Sequence, residues 1–120
     1  MKVSEERRRG CPERTILEHV TSTWGVLVLT ELSAAGTLRF SELRRRVGGV
    51  SEKMLAQTLR VLERDGFIRR RARPVIPPHV DYDLTPLGVQ AAEKVCALAE
   101  WTERNVGAVL AAQVAYDTAP

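Results

Sequence analysis

Two serine-led runs separated by a pair of glycines constrain this chain more than any other feature. Ser41-Glu42-Leu43-Arg44-Arg45-Arg46-Val47 and the stretch from Ser51 to Asp65 each open on a residue whose side-chain oxygen accepts the free N–H groups of a first helical turn. Between them Gly48-Gly49 breaks the first helix, and Val50 supplies an apolar plug. Two helices joined across so short a turn make a helix-turn-helix. In the second run Leu55, Leu59 and Leu62 recur at i, i+4 and i+7 and mark the inward face, whereas Lys53, Gln57, Arg60 and Arg64 recur at i, i+4, i+7 and i+11 on a different face.

The flanks supply the rest of a compact fold. Cys11-Pro12 followed by Ile16, Leu17 and Val20 predicts a short first helix, with Pro12 near its start, where a missing N–H costs little. Trp24, Leu27, Val28, Leu29 and Leu32 make a strongly apolar core helix that stops near Ala34-Ala35-Gly36, and Leu38-Arg39-Phe40 reads as a short extended piece. After the stop at Gly66, Phe67 to Arg73 reads as a strand; Pro74 to Pro78 cannot sit inside a sheet; and Val80, Tyr82 and Leu84 alternate with Asp81 and Asp83 as a returning strand buried on one face. That pair is a β-hairpin, or wing. Thr85-Pro86 then opens a long last helix, apolar on more than one face, with Gly107 as a candidate interruption.

With 120 residues the chain has the length of a single domain of about 100–150 residues. The expected fold is mainly α with a small β-hairpin: a winged helix-turn-helix, dimeric through its N- and C-terminal helices, because one domain of this size has too little core to cover so apolar a last helix. Residues 1–10 read as a flexible basic arm, 11–115 as the winged-helix domain with its terminal dimerisation helices, and 116–120 as a frayed tail.

The formal charge of +3 is unevenly spread. From Arg39 to Arg73 eleven basic residues stand against four acidic ones, a local +7 that leaves −4 for the remainder. A basic middle in an acidic remainder points to a polyanion touched by one region, with nucleic acid ahead of a membrane surface. No apolar run approaches the roughly 18 residues of a membrane span. The basic first residues lead into no hydrophobic signal region, so a cytoplasmic location with no membrane partner is expected. Cys11 and Cys96 lie far apart and are expected as free thiols in a reducing compartment.

A series of short strings stands in a definite order: Cys11-Pro12, Trp24 opening the core helix, Arg39-Phe40-Ser41-Glu42-Leu43, Val50-Ser51-Glu52-Lys53-Met54-Leu55, Leu62-Glu63-Arg64-Asp65-Gly66-Phe67-Ile68, Pro77-Pro78-His79-Val80-Asp81-Tyr82-Asp83-Leu84-Thr85 and Leu87-Gly88. In that order and spacing the chain, from Cys11-Pro12 to Trp101, resembles the HxlR-type transcriptional regulators, a winged-helix family related to the MarR type. Two departures stand out: Ser22-Thr23-Trp24 replaces the family's usual Gly-Lys-Trp, so any role of that lysine is missing, and Asp81 stands where glutamate is common. The resemblance implies a sequence-specific DNA-binding regulator, most simply a repressor, acting as a homodimer on double-stranded operator DNA. Some members use a cysteine at the position of Cys11 to sense oxidants or electrophiles. Carried over, this makes Cys11 a candidate redox sensor, with an oxidant or a small molecule as effector.

The helix from Ser51 is the expected reading head, since a helix fits the major groove and its amino-terminal part reaches base edges. Lys53 and Arg60 suit guanine O6/N7 or phosphate, Gln57 suits adenine N6/N7, and Ser51 and Thr58 suit phosphate or base contacts. Ser41 with Arg44 or Arg45 on the preceding helix, and Arg71 and Arg73 on the wing, are expected on phosphates; His79 is placed to enter a minor groove. Strand alternation must divide Arg69, Arg70, Arg71 and Arg73 between two faces, so some meet solvent or acids instead. Each assignment has a plainer counterpart. A solvated helix face carries such residues anyway, arginine runs solubilise, and a wing histidine can be only a turn residue. The turn and wing together tip the balance toward DNA.

Trp24 and Trp101, at helical spacing, read as core. Cys11 at a helix start near Arg7 to Arg9 suits a reactive thiol, against the plainer role of a small packing residue. Cys11, His19, His79 and Cys96 lack the tight spacing of a metal site, so neither metal nor cofactor is expected. Without a Gly-rich phosphate loop or a catalytic triad the chain does not read as an enzyme. The alternative to a DNA-binding regulator is a winged-helix interaction module whose basic surface binds an acidic protein.

Overall fold

The computed structural model describes residues 11–120, so the basic arm expected at 1–10 lies outside the described residues. Helix α1, Pro12–Thr21, is capped by Cys11, whose Sγ accepts the Arg14 N–H at 3.3 Å. Pro12 fills the first turn, where its missing donor leaves no hydrogen bond unmade. Ser22 ends α1 and caps α2, Thr23–Ala35, by accepting the Gly25 N–H at 3.1 Å. α2 buries Val28, Leu29 and Leu32 to 1 % exposure or less, because other elements pack on it from several sides.

β1, Thr37–Arg39, leads directly into α3, Phe40–Val47. Ser41, expected as the N-cap, thus lies inside the helix, whose N-cap stands two residues earlier. Arg39 is that cap, and the Glu42 carboxylate, at the third helical position, reaches back to accept the Arg39 N–H at 3.0 Å. Gly48 and Gly49 take φ of 72° and 73°, a conformation that residues with side chains adopt only under strain, and Val50 is buried beneath their turn. α4, Glu52–Arg64, then begins on Ser51, whose hydroxyl accepts the Met54 N–H at 3.0 Å. Leu55, Leu59 and Leu62 are buried as their spacing requires, each stabilising the fold by about 1.5–3 kcal/mol.

β2, Ile68–Arg73, and β3, His79–Leu84, form the expected hairpin, but β1 joins it in a three-stranded antiparallel sheet of order β1-β3-β2. Leu38-Arg39-Phe40 therefore divides, its first two residues extending the sheet and its third starting α3. Leu38 stands opposite Tyr82, and Ile68 opposite Leu84, so one face of the sheet closes the core. On the other face Asp81 is also buried, at 7 % exposure, which the apolar alternation alone does not predict.

α5, Pro86–Thr118, is capped by Thr85, whose hydroxyl accepts the Gly88 N–H at 3.0 Å and donates to the Gly66 carbonyl at 2.5 Å. A Cβ on Gly88 would lie 1.8 Å from the Phe67 carbonyl oxygen, so only glycine lets α5 press against the joint between α4 and the wing. Contrary to the interruption considered at Gly107, α5 runs unbroken for 33 residues and reaches past Tyr116. An interior glycine costs only about 1 kcal/mol relative to alanine, too little to end so long a helix. Ala92 and Val95 pack into the core; farther along, Leu98, Trp101, Val106, Val109, Leu110 and Val114 are exposed. Trp101, expected in the core, is 52 % exposed because α5 outruns the body of the domain, whereas Trp24 packs against the core as expected. Among the described residues no helix is long and apolar enough to cross a membrane.

Candidate nucleic-acid interface

The outer face of α4 lies opposite its buried leucines. Lys53, Gln57, Arg60 and Arg64 are exposed there, and among the described residues no carboxylate stands within ion-pair distance of Lys53, Arg60 or Arg64. The two glutamates of the helix sit on its flank: Glu52 meets Arg44, and Glu63 lines a hollow with Arg60, Arg70 and Tyr82 without an ion pair to either arginine. Thr58 lies beside Gln57 on the α1 side of α4. Half-buried, it lines a small cleft with His19 and Ser22 on the α1 side, and its hydroxyl donates to the Met54 carbonyl at 2.9 Å.

The helix-turn-helix turn distinguishes Arg44 from Arg45. Arg44 curls over the turn, its Nε donating to the Val50 carbonyl at 3.2 Å and its Nη1 reaching Glu52 at 3.4 Å. Arg46 is drawn the other way, to Glu31 at 3.2 Å. Arg45 is exposed and has no acidic partner among the described residues; it borders an open groove with Ser41, Gly49 and Ser51. Arg44 lines the same groove, so of the triplet Arg44 and Arg45 border it, and Arg45 alone of the two has no ion pair among the described residues.

The wing differs. Arg69 meets Asp83 as a fork, Nε to Oδ1 at 3.2 Å and Nη2 to Oδ2 at 3.3 Å, and Arg71 reaches the same carboxylate at 3.5 Å. Arg73 pairs with Asp81 at 2.6 Å. The expected phosphate contacts Arg71 and Arg73 are therefore ion-paired, although their side chains remain more than half exposed. His79, expected to reach into a groove, has a side chain only 19 % exposed and lies 3.9 Å from Asp81.

One pair has no counterpart in the sequence reading. His19 Nδ1 lies 2.5 Å from Asp65 Oδ2, joining the end of α1 to the residue that ends α4. Forty-six positions separate the two residues, and no local pattern connects them. The candidate sensor Cys11 is 7 % exposed, and its Sγ donates to Glu13 Oε2 at 3.0 Å while accepting from Arg14. Cys96, also a free thiol, donates to Thr30 Oγ1 at 3.5 Å.

The model of the HxlR-like helix-turn-helix family matches residues 19–109. The uncharacterized HTH-type transcriptional regulator YtfH of Escherichia coli (strain K12) is 64 % identical over 101 residues, spanning 84 % of this chain and 79 % of that protein. Among solved structures, ytfH of Salmonella typhimurium, assigned as a transcriptional regulator, superposes with a TM-score of 0.81 at 60 % identity, covering 87 % of this chain and 92 % of that one. The redox regulator HypR in its oxidized form superposes with a TM-score of 0.71 at 33 % identity, covering 79 % and 97 %.

Proposed function

This chain belongs to the HxlR-like helix-turn-helix family of transcriptional regulators, and from that premise we propose that it represses transcription by binding operator DNA as a homodimer. The observation that carries this reading is the outer face of α4, where Lys53, Gln57, Arg60 and Arg64 are exposed and, among the described residues, no carboxylate lies within ion-pair distance of the three cations. Lys53, Gln57 and Arg60 read base edges in the major groove, while Ser41, Arg45 and the α4 start at Ser51 take the phosphates beside it. Arg71 and Arg73 reach the flanking backbone through the N–H groups that their aspartates leave outward, and His79 supports them from within the wing. Arg44 acts by holding the turn, and Thr58 by seating α4 against α1.

The apolar second half of α5 supports the dimer. Leu98, Trp101, Val106, Val109 and Leu110 are each 43–55 % exposed along one helix, and apolar side chains gathered in this way favour a partner. A second copy, joined through α5 and α1, covers it and sets two α4 helices about 34 Å apart, one turn of duplex. Cys11 supplies the signal input: an oxidant or electrophile that modifies its Sγ removes the bond to Glu13 and the cap of α1, and so shifts α1 at the dimer contact. The family resemblance to redox regulators such as HypR supports that part of the reading.

A mobility shift on the promoter DNA beside the gene tests the reading. Operator DNA is expected to bind at least about 10³-fold more tightly than random duplex, with log affinity falling by about 0.9 per phosphate contact for each unit of log salt. Equal affinity for every duplex would remove the sequence-specific reading. For the sensor, Cys11→Ser is expected to bind operator normally and to lose the release caused by hydrogen peroxide, which oxidises a single thiol to the sulfenic acid with loss of water. A variant that still releases DNA on oxidation assigns the response elsewhere.

A further inference from the structure

Strand alternation and register put Arg69, Arg71 and Arg73 of β2, His79, Asp81 and Asp83 of β3, and Arg39 of β1 on one face of the sheet. The aspartates sit on the central strand, with arginines on both edges. Their depth matters more than their number. The Asp81 and Asp83 side chains are 10 % and 18 % exposed, against 67 % for Glu100 in the surface pair with Arg104. A surface carboxylate that loses its arginine returns to water at little cost. A nearly buried one is left as an uncompensated charge. A phosphate that draws Arg71 or Arg73 outward must therefore compete with a carboxylate that cannot follow, and it is itself repelled by that carboxylate.

We propose that Asp81 and Asp83 are specificity-determining residues: by holding Arg69, Arg71 and Arg73 they damp the attraction of the wing for any phosphate backbone, leaving affinity to depend on the reading face of α4. The inference rests on the DNA-binding reading above. It explains why a strand so rich in arginine is paired in register with two acids, an arrangement that simple phosphate anchoring would not require.

The test uses Asp81→Asn and Asp83→Asn, singly and together, which keep side-chain size and remove the charge. Fluorescence anisotropy over a salt series, on operator and on random duplex, is the readout. The double variant is expected to bind random duplex roughly tenfold more tightly at low salt, with a slope steeper by about 0.9 for each arginine that newly meets a phosphate. Its preference for operator should shrink accordingly, and adding Arg71→Ala should reverse part of the gain. If the double variant melts early, Asp83→Asn alone, at the more exposed carboxylate, carries the same expectation at smaller size. Native protein that binds operator while the variants keep an unchanged slope, or weaken on both duplexes, overturns the inference but not the DNA reading. Native protein that binds neither duplex overturns both.

Discussion

The outer faces of α4 and of the wing carry comparable cations and use them differently. α4 presents Lys53, Arg60 and Arg64 without acidic partners, while the wing presents Arg69, Arg71 and Arg73 against Asp81 and Asp83. The difference follows from the two backbone periods. On a helix each residue turns the direction by roughly 100°, so Glu52 and Glu63 fall on the flank of the Lys53 face, beside it and not among its cations, although they are near in sequence. On a strand the period is two, and every second residue returns to the same face. Once β3 pairs with β2 in register, Asp81 and Asp83 have no direction open to them except toward the arginines. Charge composition cannot reveal this, since both segments read as basic.

The largest expected effect concerns the support beneath the free face. Leu59→Ala should lower stability by about 2–5 kcal/mol in urea unfolding, because Leu59 is 2 % exposed in a packed core. A loss below about 1 kcal/mol would mean that α4 is not anchored as its inner face indicates. Next come Lys53→Ala and Gln57→Ala, each expected to cost about 1–3 kcal/mol on operator and much less on random duplex in a competition assay. Losses of equal size on the two duplexes would reassign both residues to the backbone and erase half of the contrast.

Smaller effects sharpen the comparison. Gly49→Ala, at φ 73°, should cost roughly 1 kcal/mol of thermal stability through strain in the turn that orients α4 against α3. An unchanged melting temperature would show that the turn relaxes freely. The least effect is expected at the wing, where Arg71→Ala should weaken operator and random DNA alike by less than about threefold, the scale of a half-exposed ion pair. A tenfold loss there would place the wing on equal terms with α4.

Much of the fold is legible in short stretches. Ser51, Thr85-Pro86 and the leucine spacing of α4 announce their helices because caps and periodicity act within one or two turns. The early start of α3 escapes a serine-based reading because Glu42 performs the capping from inside the helix. The third strand escapes a hairpin reading because β1, three residues long, is a strand only by virtue of its pairing with β3. Trp101 escapes a core reading because aromatic spacing reports an apolar face without telling what covers it. For the site, the face of Lys53, Gln57 and Arg60 is legible, whereas the bond that ties Arg44 to the Val50 carbonyl, and the half-burial of Thr58 beside α1, are not.

By itself the sequence determined the order of helices, the glycine turn, the wing and the face of α4 that points away from the core, since each depends on neighbours within a few residues. Only the tertiary structure decided which cations are free. Arg44 is tied to the Val50 carbonyl and Glu52, and Arg69, Arg71 and Arg73 are paired with Asp81 and Asp83, while Lys53, Arg60, Arg64, Arg45 and Arg70 have no carboxylate within ion-pair distance among the described residues. Whether a charge is neutralised depends on the register of strands and the depth of the acid beside it, and both are set by contacts between residues far apart along the chain.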